Sequence, residues 1–265
     1  MDNRPIGIFD SGVGGLTVVK QVIRALPNED IVYFGDTARV PYGSKSKETI
    51  TKFSSQIIRF LLSKDVKAVI IACNTVSSNC FDDLTKEFSV PLIGVVTPGV
   101  ESCIKATKNK IVGIIGTEGT VKSGAYEKKL KAIDSEIQVY SKACPLFVPL
   151  AEEGWVDNEV AYSVAKIYLK ELVENGIDSI ILGCTHYPIL KKCIGNVIGE
   201  NIKIVDPAYA TAKKMEEHLR NNDMLAKNSG KINFYVSDNT NKFDFICKSV
   251  LKSEYTAEKI DIEKY

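Results

Sequence analysis

The sequence predicts an α/β protein of two pseudo-symmetric domains, each a mostly parallel sheet flanked by helices, with a site in the cleft between them. Three observations carry this expectation. Apolar runs that read as buried strands alternate with segments of helical period, the pattern of a parallel sheet covered on both faces. The runs echo one another in order and spacing along the chain. The chain has 265 residues, 45% hydrophobic and 25% charged, enough for one large α/β domain or two compact ones with real cores.

Taken in order, the strands are expected at 6–9, 31–34, 68–72, 92–96, 111–115, 137–140, 179–182, 202–205 and 232–236. Between the first two, Leu16, Val19, Ile23 and Leu26 share one helical face. Ile50, Phe53, Ile57 and Leu61 do the same before the third strand, and Val160, Val164, Ile167 and Leu172 before the seventh. The echo pairs Gly7-Ile8-Phe9-Asp10-Ser11-Gly12 with Gly113-Ile114-Ile115-Gly116-Thr117-Glu118. It also pairs Ile70-Ile71-Ala72-Cys73-Asn74-Thr75 with Ile181-Leu182-Gly183-Cys184-Thr185-His186. Asp10 and Cys73 lie 63 residues apart, Gly116 and Cys184 lie 68 apart, so the halves read as a duplicated βαβ unit. The alternative is convergence of two ordinary strand-to-loop turns. Under duplication, Cys73 and Cys184 occupy equivalent carboxyl ends of strands, where α/β sheets place their ligands.

Composition excludes several classes. With 34 basic against 33 acidic side chains and no basic block, a nucleic-acid partner is not expected. Residues 1–5 are short and polar, and no apolar run approaches about 18 residues, so neither a signal peptide nor a membrane span is expected and the location is cytoplasmic. Seven cysteines, an odd number with no C-x-x-C, fit a reducing compartment and no structural metal. Asp10-Ser11-Gly12-Val13-Gly14-Gly15-Leu16-Thr17 follows a strand and opens a helix, suited to a small carboxylate. Thr17 stands where a dinucleotide fingerprint needs its third glycine, and no G-K-[ST] phosphate loop occurs.

Cys73 and Cys184 are the candidate chemical residues, each flanked by polar side chains after a buried strand. Cys80, Cys103, Cys144, Cys193 and Cys247 read as small buried hydrophobes. His186 is a candidate relay or a simple cap, and His218 reads as a surface residue of a helix. Glu152 and Glu153 are loop carboxylates, one of which could orient His186. Val40-Pro41-Tyr42-Gly43, after Asp36, is a turn by composition. Read without the resemblance that follows, the site also admits a non-enzymatic binding protein for an acidic amino acid, or a disulfide switch.

Five ordered stretches resemble the cofactor-independent aspartate/glutamate racemase family. They are residues 10–17, 36–43, Ala72-Cys73-Asn74-Thr75, residues 149–154 and Gly183-Cys184-Thr185-His186-Tyr187-Pro188. The resemblance implies that Cys73 and Cys184 are paired bases, with Asp10 and His186 assisting them and Glu152 supporting His186. It implies further that Asp10, Ser11, Tyr42, Gly43, Asn74, Thr75, Thr117 and Thr185 hold the substrate's amino and carboxylate groups, without cofactor or metal. His186-Tyr187-Pro188 resembles the members acting on glutamate rather than on aspartate, while Val76 departs from the family's usual alanine and bears on pocket size. An isomerase of this kind would supply D-glutamate for peptidoglycan and cell shape, as a homodimer; another racemase of the group, acting on aspartate or another small acid, is the near alternative. The family's chain returns to its first domain, so the expected domains are 1–97 plus 208–265, and 98–207.

Overall fold

Strands form where the apolar runs predict them, because a chain with Ile, Val, Leu and Phe on both faces can bury both only inside a covered sheet. The structure, a computed structural model, describes residues 1–228, 230–238 and 240–265, and for residues 240–242 the backbone alone. The first half runs β1 (Ile6–Asp10), α1 (Leu16–Ala25), β2 (Ile31–Gly35), α2 (Lys47–Ser63), β3 (Ala68–Ile71), α3 (Asn74–Asn79), α4 (Phe81–Glu87), β4 (Leu92–Gly94) and α5 (Val96–Ala106). The second runs β5 (Ile111–Gly116), α6 (Glu118–Ser123), α7 (Ala125–Ile133), β6 (Gln138–Ala143), α8 (Phe147–Glu152), α9 (Glu159–Glu174), β7 (Ser179–Gly183), α10 (Lys191–Ile198) and β8 (Lys203–Val205). The chain ends with α11 (Pro207–Asn221), β9 (Ile232–Val236), α12 (Thr240–Leu251) and β10 (Ala257–Lys259).

Two parallel sheets result, ordered β10-β9-β2-β1-β3-β4 and β6-β5-β7-β8. The second repeats the order β2-β1-β3-β4 of the first, so the echo in the sequence is a repeat in space. Register agrees: Phe9 lies opposite Ile71 and Ile115 opposite Leu182, so Cys73 and Cys184 each sit two residues past equivalent positions. Helices α1, α11 and α12 cover one face of the first sheet, with Val19, Met215 and Phe243 in one core, while α2 covers the other through Ile57 and Leu61. In the second sheet α5 and α7 cover one face and α8, α9 and α10 the other. Among the described residues no helix is long and apolar enough to cross a membrane.

Three details depart from the sequence reading. The strand expected at 92–96 stops at Gly94, because Val96 already opens α5. A tenth strand, Ala257–Lys259, adds a polar edge that hydrophobic patterning does not reveal. In α9 the expected face is half right: Leu172 is buried and Val164 packs on the core, but Val160 is 48% and Ile167 74% exposed, and Ala161, Ala165 and Leu169 are buried in their place. Small alanines let α9 pack closely against its neighbours, and that contact outranks side-chain hydropathy in choosing the buried face.

Candidate active site

The turn after β1 is shaped by its own first side chain. Asp10 folds back so that Oδ2 accepts from the amides of Gly12 (3.2 Å) and Gly15 (3.0 Å), which leaves Ser11 facing the end of β3. There Cys73 caps α3, buried, its thiol 3.6 Å from Ser11 Oγ. Burial pushes the Cys73 thiol up to about 12, and the negative charge of Asp10 adds to the effect. Cys73 is therefore a neutral thiol. Burial also raises the Asp10 carboxyl, against the opposing pull of His186 and the two amides.

In the second lobe Cys184 follows β7, and His186 caps a short 3-10 turn, Tyr187–Leu190, that opens with Pro188. His186 Nδ1 lies 3.8 Å from Cys184 Sγ, and His186 Nε2 lies 3.1 Å from Glu152 Oε1 at the end of α8. Burial alone would depress the imidazolium, but the bonds to Cys184 and Glu152 and the charge of Asp10 outweigh it and lift His186 to about 10. His186 is thus a cation at neutral pH, donating from both ring nitrogens. One thiol lies near an anion, the other beside a cation.

The lobes are clasped over this site. Thr185 donates to Asp10 Oδ1 (3.3 Å), Thr17 to the Thr185 carbonyl (3.0 Å), and Tyr126 to Asn74 Oδ1 (2.6 Å). The hydroxyls of Thr75 and Thr117 meet at 2.9 Å, and the Gly119 amide donates to the Gly43 carbonyl at 2.9 Å. A Cβ on Gly43 would come within 2.7 Å of Thr117 Cβ, so glycine is what permits that approach. A cavity of about 10 Å³, room for a single water, lies beside Asn74, Cys184 and Thr185.

Three bonded sets, Cys73 with Ser11, Thr185 with Asp10, and Cys184 with His186 and Glu152, lie on adjoining turns, with Asn74, Thr75, Gly43 and Thr117 at the lobe boundary. Tyr42 is placed differently, since its buried hydroxyl donates to Asp36 and only its backbone is left for a ligand. Asp36 also accepts from Arg39 Nε (2.7 Å) and Ser237 Oγ (2.8 Å), which fixes the turn that carries Gly43. The sequence gives Asp36 no role, and nothing in the C-terminal stretch marks Ser237. Tyr126 was missed as well. The other five cysteines are buried and free, and His218 is half-buried rather than on the surface. Among the described residues no group of three His, Cys, Asp or Glu is placed to hold a metal ion.

Two α/β lobes of the same strand order, each ending an equivalent strand at a buried cysteine and hydrogen-bonded to one another beside those cysteines, define the class of architecture. Residues 6–215 match the Asp/Glu/hydantoin racemase family. The chain is 53% identical over 237 residues to the glutamate racemase of Geobacter metallireducens, covering 89% of this chain and 88% of that one. Among solved structures, glutamate racemase from Francisella tularensis in complex with D-glutamate superposes with a TM-score of 0.93 at 42% identity, covering 100% of both chains. A Bacillus anthracis glutamate racemase isoform gives 0.95 at 37% identity, covering 98% of both. The chain belongs to the Asp/Glu/hydantoin racemase family and is an enzyme of the racemase class.

Proposed function

We propose that this chain interconverts L-glutamate and D-glutamate by passing the α-proton between Cys73 and Cys184 on opposite faces of the substrate. One observation supports the reading: register-equivalent cysteines end equivalent strands of the two hydrogen-bonded lobes, Cys73 near the Asp10 carboxylate and Cys184 3.8 Å from the His186 ring. Inversion needs a base on one face and an acid on the other. In one direction a Cys184 thiolate, facing the His186 cation, removes the α-proton, and the Cys73 thiol delivers its own proton to the other face. Cys184 ends as thiol and Cys73 as thiolate, and reaction in the reverse direction restores the starting pair.

The carbanion has no covalent electron sink in this scheme, which calls for no cofactor. Its charge spreads onto the carboxylate, where preorganised donors are each worth about 3–4 kcal/mol in a water-excluded site. Asn74, Thr75, Thr185 and the amides near Ser11 supply them. Asp10, Ser11, Tyr42, Gly43 and Thr117 complete the substrate contacts, Asp10 and His186 assist Cys73 and Cys184, and Glu152 holds His186. The lobes, joined by the Thr185–Asp10, Tyr126–Asn74 and Thr75–Thr117 bonds, part to admit substrate and close to exclude water. We divide the chain into 1–97 plus 208–265, and 98–207, each carrying one sheet. A cytoplasmic homodimer that supplies D-glutamate for peptidoglycan completes the proposal.

The test is circular dichroism of L-glutamate, D-glutamate and L-aspartate with the protein and a chelator in heavy water. Glutamate should racemise in both directions. Deuterium should enter the newly formed enantiomer while recovered substrate stays largely protonated at early times, and Cys73→Ala and Cys184→Ala should each abolish turnover in a folded protein. Equal early labelling of both pools would point to one base. Faster turnover of aspartate would move the substrate assignment, and binding without loss of optical activity would leave only a binding protein.

A further inference from the structure

Tyr126 touches both cysteine-bearing turns. Its ring lies 3.5 Å from where a Cβ on Gly183, the residue before Cys184, would stand, and 3.3 Å from a Cβ on Gly99 in α5. Wedged between β7 and α5, the side chain is 2% exposed. Its hydroxyl crosses the lobe boundary to donate to Oδ1 of Asn74, the residue after Cys73, at 2.6 Å. Burial, and then the charge of Asp206, raise the Tyr126 hydroxyl above the ordinary phenol range, so it remains a donor at any pH the enzyme meets.

An amide held by its oxygen presents its nitrogen. Among the described residues Asn74 Nδ2 has no protein acceptor, and Asn74 lines the small cavity beside Cys184 and Thr185. Asn74 Nδ2 is not one of the side-chain atoms wholly buried without a partner, so its N–H pair keeps open access through which a ligand can accept from it.

We propose that Tyr126 is a positioning residue: by holding Asn74 Oδ1 it turns the Asn74 N–H pair toward the reacting carboxylate of the substrate. Only the substrate's identity rests on the racemase reading; the orientation of the amide does not. Because the carboxylate gains charge as the α-proton leaves, a fixed N–H is stronger in the transition state than in the bound ground state. The loss therefore falls on kcat more than on KM.

The experiment compares the parent with Tyr126→Phe, which keeps the ring and removes the hydroxyl, and with Asn74→Asp, which keeps an acceptor for Tyr126 but puts an anion where the N–H pair was. Tyr126→Phe should lower kcat in both directions about tenfold with KM within about twofold, and lower Tm by a few degrees through the lost bond. Asn74→Asp should lower kcat by about 100-fold or more and raise KM. A Tyr126→Phe enzyme within about twofold of the parent kcat would overturn the proposal. So would an Asn74→Asp enzyme with a lower KM for glutamate, since an anion there would then be serving the ammonium. An additional readout needs no turnover: the Asn74 side-chain amide resonance, assigned by its disappearance in Asn74→Asp, should shift between the parent and Tyr126→Phe. A parent that does not racemise glutamate would sink the racemase reading alone, and an unmoved resonance would sink this one alone.

Discussion

Gly14→Ala places a Cβ 2.6 Å from His186 Nδ1 and 2.7 Å from His186 Cε1, with Thr185 Oγ1 closer still. Non-bonded carbon contacts relax at about 3.5 Å, so either the imidazole retreats by about 1 Å or the lobes part by as much. The ring has little room to swing, because Glu152 holds Nε2 at 3.1 Å while Nδ1 faces the Cys184 sulfur at 3.8 Å. Misplacing a proton-transfer group by about 1 Å costs about 100-fold in rate, and overpacking a clasped interface costs about 1–3 kcal/mol. The expected result is a fall of about 100-fold in kcat/KM in both directions, with a loss of a few degrees in Tm. Circular dichroism of the glutamate enantiomers reads the first and thermal unfolding the second. Gly12→Ala is the control, because it loses a glycine from the same turn but meets only Val40 Cγ2, at 3.4 Å. If Gly14→Ala racemises within about threefold of Gly12→Ala, the closure of the lobes on His186 is not part of turnover and the argument from the clasp fails.

Two further outcomes are expected. His186 is raised from 6.5 to about 10, so its charge and the stability it brings are fully present below pH 6.5 and are lost as pH rises through about 10. The alkaline limb of kcat/KM should fall in that window, and Glu152→Gln, which removes one of the raising contacts, should move it to lower pH; a pH–rate profile that stays put would remove Glu152 from the relay. Away from the site, Lys67 Nζ and Glu29 Oε2 form a buried pair at 2.5 Å, with side chains 0% and 1% exposed. Lys67→Met strands the carboxylate and should cost about 3–5 kcal/mol in denaturant unfolding, while the kcat of the protein that remains folded is unchanged.

The contrast between what the sequence discloses and what it hides has a physical basis. All nine expected strands exist, because burial on both faces forces continuous apolar runs, and a run of that kind is visible in one dimension. β10 has only Ala257 as an apolar residue, so the same signal is missing where an edge strand needs no second cover. Part of the buried face of α9, Ala161 and Ala165, is hidden because alanine carries too little hydropathy to compete with valine and isoleucine, although it packs better at close range. In the site, Cys73 and Cys184 stand out by their place in the repeat, whereas Asp36 with Ser237, 201 residues apart, and Asn74 with Tyr126, 52 apart, are pairings no local pattern records.

The repeat also explains how a symmetric scaffold yields an asymmetric site. Duplication fixes the position of each thiol through the backbone alone, as the matching registers of β1 with β3 and β5 with β7 require. The difference between the thiols must then come from equivalent positions filled by different residues. Asp10 stands where the second lobe has Gly116, and His186 where the first has Thr75. The first exchange puts a carboxylate near Cys73 and helps to keep that thiol neutral, and the second puts a cation 3.8 Å from Cys184. An acid and a base are what the proposed inverting proton transfer needs on opposite faces, and on that proposal two exchanges on a duplicated frame provide them. Asp10→Gly would therefore remove both the carboxylate near Cys73 and the bonds from the Gly12 and Gly15 amides that shape the turn, so the polarity of the pair and the local fold would be lost together.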